Sequence, residues 1–156
     1  MLKFIDHNIV FQEVPNEISL AINISNCPLR CKSCHSPQLQ EDIGIFLTED
    51  IILNIIEKYD KAITCICFMG GDSEPSEIEN LAVFVKSIDP NLKIAWYSGK
   101  QKLPKAFQLK YFNFIKLGPY KEKYGGLGSP DTNQSFYKII DDELIDMTFL
   151  FRKERI

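Results

Sequence analysis

The chain has 156 residues, enough for one domain with a real core, and its composition, 45% hydrophobic and 25% charged, is that of a globular protein. A formal net charge of -3 argues against non-specific adhesion to nucleic acid or to anionic lipid. The opening MLKFIDHNIVFQEVPNE carries acids and no long apolar run, so neither a signal peptide nor a membrane span is predicted, and one domain over 1–156 in the cytoplasm is the expectation.

Residues 18–25, ISLAINIS, alternate apolar with small or polar positions and read as a strand. Residues 26–37 follow with three cysteines, Pro28 and Pro37, and read as a loop. Thr48 is placed as a helix N-cap, with Glu49 and Asp50 in the first turn, where acids suit the helix dipole. Ile51, Ile52, Ile55, Ile56 and Tyr59 continue that helix at the right spacing. The apolar run 62–69, AITCICFM, predicts a strand buried on both faces, as in a parallel sheet. GGDSEP breaks it; Ser76 with Glu79 makes a capping-box pattern, and Ile78, Leu81, Ala82 and Val85 carry a second helix. After the Asp89-Pro90-Asn91 turn, residues 93–97 and 112–117 read as strands ended by Ser98-Gly99 and Gly118-Pro119. The last third holds a Gly-rich loop at 125–128 and strand-like stretches near 136–140 and 147–151.

Strands alternating with helices predict an α/β fold with a mainly parallel sheet. Such sheets bind ligands at the carboxyl ends of their strands, which here begin at Cys27, Gly70, Ser98 and Gly118. The first of these segments is the most informative. Cys27, Cys31 and Cys34 lie on one loop, in a chain whose five cysteines and lack of a secretion signal argue against a disulfide framework. Three thiolates can hold an iron–sulfur cube at three of its irons and leave the fourth open to a small molecule. Zinc is the alternative, because Cys31-x-x-Cys34 is also a common zinc half-site, although a second distant pair is missing and His35 directly adjoins Cys34.

This spacing resembles the cysteine loop of the radical S-adenosylmethionine (SAM) superfamily. Gly70-Gly71-Asp72 resembles that family's Gly-Gly-Glu motif, which holds the methionine amino group of SAM, with Asp72 in place of the usual glutamate. Ser33 stands where an aromatic residue often precedes the last cysteine, and His35 offers a ring just after it; the alternative for His35 is a surface loop histidine. The chain as far as about Gln134 is similar to the activating proteins of anaerobic (class III) ribonucleotide reductases. Tyr97-Ser98-Gly99, Gly118 with Tyr120, and Asn133-Gln134 carry that likeness, while Leu117 replaces a common acidic residue. The resemblance implies a small partial (β/α) barrel, a [4Fe-4S] cluster on the three cysteines, and SAM contacts at Ser33, His35, Gly70, Gly71, Asp72, Ser98 and Lys116. Lys116 is read either as a partner for the SAM carboxylate or as a solvated strand-end lysine. The implied activity is generation of a glycyl radical on the large reductase subunit, with a low-potential electron donor, and no catalytic side chain beyond the cluster. An exposed apolar rim formed by Leu29, Phe46 and the 119–127 loop is expected to receive the protein substrate.

Cys65 and Cys67 share one face of the second strand and read as small buried hydrophobes; Trp96 and the phenylalanines read as core. Gly125-Gly126-Leu127-Gly128 lacks the Lys-Ser/Thr of a phosphate-binding loop, and His7 has no evident partner. The rival functions are activation of another glycyl-radical enzyme, a small-molecule radical SAM reaction, and a non-enzymatic zinc or iron–sulfur module.

Overall fold

A computed structural model describes residues 1–152. β1 (Lys3–Val10) and β2 (Ser19–Ile24) pair antiparallel, and the two-residue β3 (Ile45–Phe46) adds to the outer side of β1. Then come α1 (Glu49–Tyr59), β4 (Cys65–Met69), α2 (Pro75–Ile88), β5 (Lys93–Tyr97), β6 (Phe114–Leu117), β7 (Ser135–Ile140) and β8 (Glu143–Asp146). All eight strands form one sheet in the order β3-β1-β2-β4-β5-β6-β7-β8.

Parallel pairing is confined to the middle of this sheet, β2-β4-β5-β6, and both flanks are antiparallel. The fold is therefore mixed α/β. The parallel character read from the sequence belongs to four central strands, where α1 and α2 supply the long crossovers that parallel neighbours need. Shorter connections return the chain antiparallel on either side.

The pleat sorts the side chains into two layers. Leu20, Ile22, Ile24, Ile66, Phe68, Ile94, Trp96 and Ile115 face α1 and α2, joining Ile52, Ile55, Ile56, Ile78, Leu81, Ala82 and Val85 in the larger core. On the other face Cys65, Cys67, Ala95, Phe114 and Phe136 pack with Val14 from the β1–β2 connection. Cys65 and Cys67 are free and fully buried, in line with their reading as small hydrophobes. Burial on both faces explains the unbroken apolar run of β4.

Local details differ from the sequence reading where one interaction overrides propensity. Thr48 does cap α1, its Oγ1 accepting from Ile51 N at 3.2 Å. Ser76 does not cap α2. That helix starts at Pro75 after Glu74, with no side-chain cap bond, and the fixed φ of a proline at the first position suits a helix start. The strand predicted near 147–151 lies instead at Glu143–Asp146. Asp141 and Asp142 both adopt positive φ, 50° and 61°, closing a two-residue hairpin turn earlier than expected. Thr148 then bonds Asp146 Oδ1 through both its N–H and its hydroxyl, at 2.9 and 2.6 Å, and the chain leaves the sheet as a short 3-10 turn over Thr148–Phe151. β1 went unread because a register shift between Phe4 and Asp6 spoils its alternation.

Among the described residues no helix is long and apolar enough to cross a membrane. The turn after β4 is the tightest joint between sheet and helix. Gly71 has φ +93°, and a Cβ there would lie 2.5 Å from Ile78 Cδ1 in the buried face of α2. Gly71→Ala is expected to destabilise by about 1–3 kcal/mol through backbone strain alone. In thermal unfolding that lowers Tm by roughly 2–4 °C per kcal/mol for a chain of this size. The control Gly126→Ala, whose Cβ would meet nothing closer than Gln134 Oε1 at 3.9 Å, should leave Tm nearly unchanged.

Candidate metal centre

The carboxyl ends of β2, β4, β5 and β6 are brought together, and nearly all the predicted site residues lie on them. The loop leaving β2 carries Cys27, Cys31 and Cys34, all free and partly exposed. Its path is unusual: Asn26, Arg30 and Ser33 have φ of 59°, 46° and 59°. These left-handed residues, at intervals of three or four, turn the chain sharply between the cysteines. Backbone bonds pin the loop, from Asn26 N to Glu41 O and from Cys27 N to Leu39 O, both 2.9 Å, and from Cys34 N to Cys31 O at 3.3 Å. Burial pushes the Cys27 thiol up, and the nearby Asp72, Cys31 and Cys34 push it the same way. Such a thiol is held as the neutral form until a metal compensates its charge.

Opposite the cysteines, Gly70 and Gly71 leave β4 with φ of 103° and 93°, a conformation that glycine adopts without penalty. Gly70 is held from both sides. Its N–H donates to Tyr97 O at 3.0 Å, and its carbonyl accepts from the indole Nε1 of the fully buried Trp96 at 2.7 Å. Trp96 therefore does more than fill the core, as its sequence reading had it. Its ring also stacks on Phe107, with centroids 4.9 Å apart.

Asp72 is buried and both its oxygens are engaged. Oδ1 accepts from Ser98 Oγ at 2.5 Å and Oδ2 from Gly99 N at 2.9 Å, so the carboxylate ties the end of β4 to the end of β5. Gly99 lets Leu29 pack close, since a Cβ there would meet Leu29 Cδ1. Leu29 of the cysteine loop is thereby seated on β5 and half-buried.

Lys116 is no solvated strand-end lysine: it is only 9% exposed. Its Nζ donates to Ser98 O at 3.3 Å and to Gly118 O at 2.8 Å, bridging the ends of β5 and β6 with two of its three N–H groups. Burial pulls its pKa down to about 8, against the opposing pull of Asp72, Cys31, Cys27 and Cys34. The late Asn133-Gln134 pair serves the same corner: Asn133 Nδ2 donates to Pro119 O at 2.9 Å and Gln134 Nε2 to Gly118 O at 3.3 Å. Sequence reading noted that pair only as a likeness, and no periodicity in this stretch marks it as a brace for the turn after β6.

The loop after β6 closes over the cysteine loop. Ser33 Oγ donates to Glu122 Oε2 at 3.0 Å, and the His35 and Tyr120 rings lie 4.7 Å apart. Ser33 and His35 are both exposed. Phe46, expected on the rim, is 51% exposed on β3 with the Lys3 ammonium over its ring. Its segment joins the site through Ser25 Oγ, which donates to Ile43 O at 2.5 Å just before the cysteine loop. A cavity of about 720 Å³ lies elsewhere, between Leu47–Asp50 and the exposed side of α2.

The donor set fits an iron–sulfur cluster: three thiols on one curled loop, a partly buried setting, and a cation beneath. Among the described residues, no three histidine, cysteine, aspartate or glutamate side chains converge on a single-ion site. The cluster residues are also chemically distinct from the core thiols. Burial raises Cys65 to about 12, and Cys67 lies still deeper. In the folded apo protein an impermeant maleimide is expected to label Cys27, Cys31 and Cys34 and to spare Cys65 and Cys67, with all five labelled after denaturation, as counted by mass spectrometry. Labelling of Cys27 should keep accelerating above pH 9, the ordinary thiol value, because burial holds it protonated.

A family model described as a 4Fe-4S single cluster domain matches residues 18–116, from the start of β2 to the end of β6. The match covers more than half of the chain and spans the cysteine loop, the turn after β4, Asp72, Ser98 and Lys116. No curated protein and no solved structure matches the chain.

Proposed function

The chain belongs to the 4Fe-4S single cluster domain family, and from that premise we propose that it is a radical SAM enzyme that activates an anaerobic ribonucleotide reductase. The observation that carries the proposal is the gathering of the cysteine loop, Asp72 and Ser98 at the carboxyl ends of neighbouring strands within the span of the family match. A loop with three thiols would leave one iron of a cluster without a protein ligand. When bound on Cys27, Cys31 and Cys34, the cluster would supply one electron for the reductive cleavage of SAM, the chemistry needed to raise a glycyl radical on the large reductase subunit.

The work of the chain is binding and orientation. Cys27, Cys31 and Cys34 are the proposed cluster ligands. The positive φ of Gly70 and Gly71 makes the turn, and the bonds from Trp96 and to Tyr97 fix it for the methionine end of SAM. Asp72 and Ser98 hold the floor of that turn through each other. Ser33 and His35, exposed at the lip, are positioned for the adenosine end, and Lys116 adds positive charge below.

A protein substrate agrees with the exposed Ile43, Ile45 and Phe46 on the segment that follows the cysteine loop. A low-potential donor delivers the electron from outside. On this reading the fold is a small partial barrel of the radical SAM type, with β2, β4, β5 and β6 as its parallel part.

The test is anaerobic reconstitution with iron and sulfide, reduction with dithionite, and addition of SAM with a candidate large reductase. Wild-type protein is expected to release 5′-deoxyadenosine and to produce a glycyl-radical doublet by electron paramagnetic resonance. Cys31→Ala should lose at least 10²-fold in SAM cleavage, as expected when a group indispensable to the cofactor is removed. A Cys31→Ala protein that cleaves SAM at the wild-type rate contradicts the proposal.

A further inference from the structure

Lys116 is a buried cation with no carboxylate in contact among the described residues. Its ammonium is held by two backbone carbonyls, Ser98 O at 3.3 Å and Gly118 O at 2.8 Å. The nearest-acting carboxylate, Asp72, has both oxygens engaged by Ser98 and Gly99. A buried charge without an opposite charge is unfavourable, so a fold that keeps one there has a compensating anion to satisfy. The groups whose charge acts on Lys116 are Asp72 and then Cys31, Cys27 and Cys34. The geometry agrees: Ser98 is tied to Asp72, and Leu29 of the cysteine loop is seated on Gly99, the residue after Ser98.

We propose that Lys116 is a positioning residue whose fixed positive charge, clamped between the ends of β5 and β6, raises the reduction potential of the cluster. This inference rests on the reading that Cys27, Cys31 and Cys34 hold that cluster. The charge balance is direct. Reduction adds one electron from an external low-potential donor and hence one negative charge, and no bond is made or broken. Net charge near a cluster sets its potential. A cation in a poorly solvated site favours the reduced form by on the order of tenfold. Two carbonyl acceptors keep the ammonium in place, so its effect does not depend on a mobile surface side chain.

The experiment compares wild type, Lys116→Met, Lys116→Gln and Lys116→Arg after anaerobic reconstitution. Iron and sulfide are counted per chain, and the midpoint potential is measured by dye-mediated titration with electron paramagnetic resonance, without SAM or partner. The two neutral variants are expected to move the midpoint negative by about 59 mV, the equivalent of a tenfold change for one electron. Lys116→Arg should stay near wild type. A neutral variant that carries a full cluster at the wild-type potential overturns the inference. So does a Lys116→Arg protein that shifts as far as the neutral ones, since packing would then be the cause. Loss of the cluster in both neutral variants with retention in Lys116→Arg supports a requirement for charge, whereas loss in all three overturns it. A wild-type chain that assembles no cluster, or one that assembles it equally well without the three cysteines, overturns the underlying reading and is recognised before any potential is measured.

Discussion

The carboxylate of Asp72 takes the hydroxyl of Ser98 and the N–H of Gly99, and the rest of the site is arranged around that junction. Buried charge-assisted bonds of this kind are worth roughly 1.5–3 kcal/mol each, more than most single contacts in a domain of this size. Ser98 passes the constraint on: its N–H donates to Lys116 O at 2.9 Å and its carbonyl accepts from Lys116 Nζ. Gly99 passes it the other way, to Leu29 and hence to the cysteine loop. Three strand ends and one loop are thereby held as one unit, in the place where a parallel sheet leaves its strand termini open.

The two-sided burial of β2, β4, β5 and β6 sets the boundary of that unit. Ile22, Phe68, Trp96 and Ile115 fill the helix side, and Cys67, Ala95 and Phe114 fill the other. Polar chemistry has no room within the layers and collects at the strand ends. Asp72, Ser98 and Lys116 are buried polar residues on consecutive central strands, and they satisfy one another through side chains or backbone. The aromatic core contributes as well, since the indole of Trp96 reaches out of it to fix the Gly70 carbonyl.

Much of this was legible before any coordinates. The run AITCICFM had to be a strand covered on both faces, and Thr48 with its acids had to start a helix, because each pattern reflects one local rule. The cysteine loop and the glycine turn were legible because few other roles suit three clustered thiols or a Gly-Gly pair after a strand. What stayed hidden depended on distant partners. Asp72 reads in sequence as a SAM contact at the Gly-Gly-Glu position, and its bonds to Ser98 and Gly99 are visible only in the fold, while Trp96 reads as core. Lys116 sits on an ordinary-looking FIKL strand, and only the sheet order reveals that its ammonium bridges the ends of β5 and β6. The early hairpin at Asp141-Asp142 was missed because two aspartates at positive φ replace the glycine that usually marks such a turn.

The central claim is that three cysteines hold a cluster with one iron left open to SAM. The most direct measurement is Mössbauer spectroscopy of the protein reconstituted with ⁵⁷Fe, before and after SAM is added. The account predicts that one iron in four becomes spectroscopically distinct on adding SAM, with the isomer shift of an iron that has gained nitrogen and oxygen ligands. Four irons unchanged by SAM would contradict it, because every iron would then already be closed by the protein.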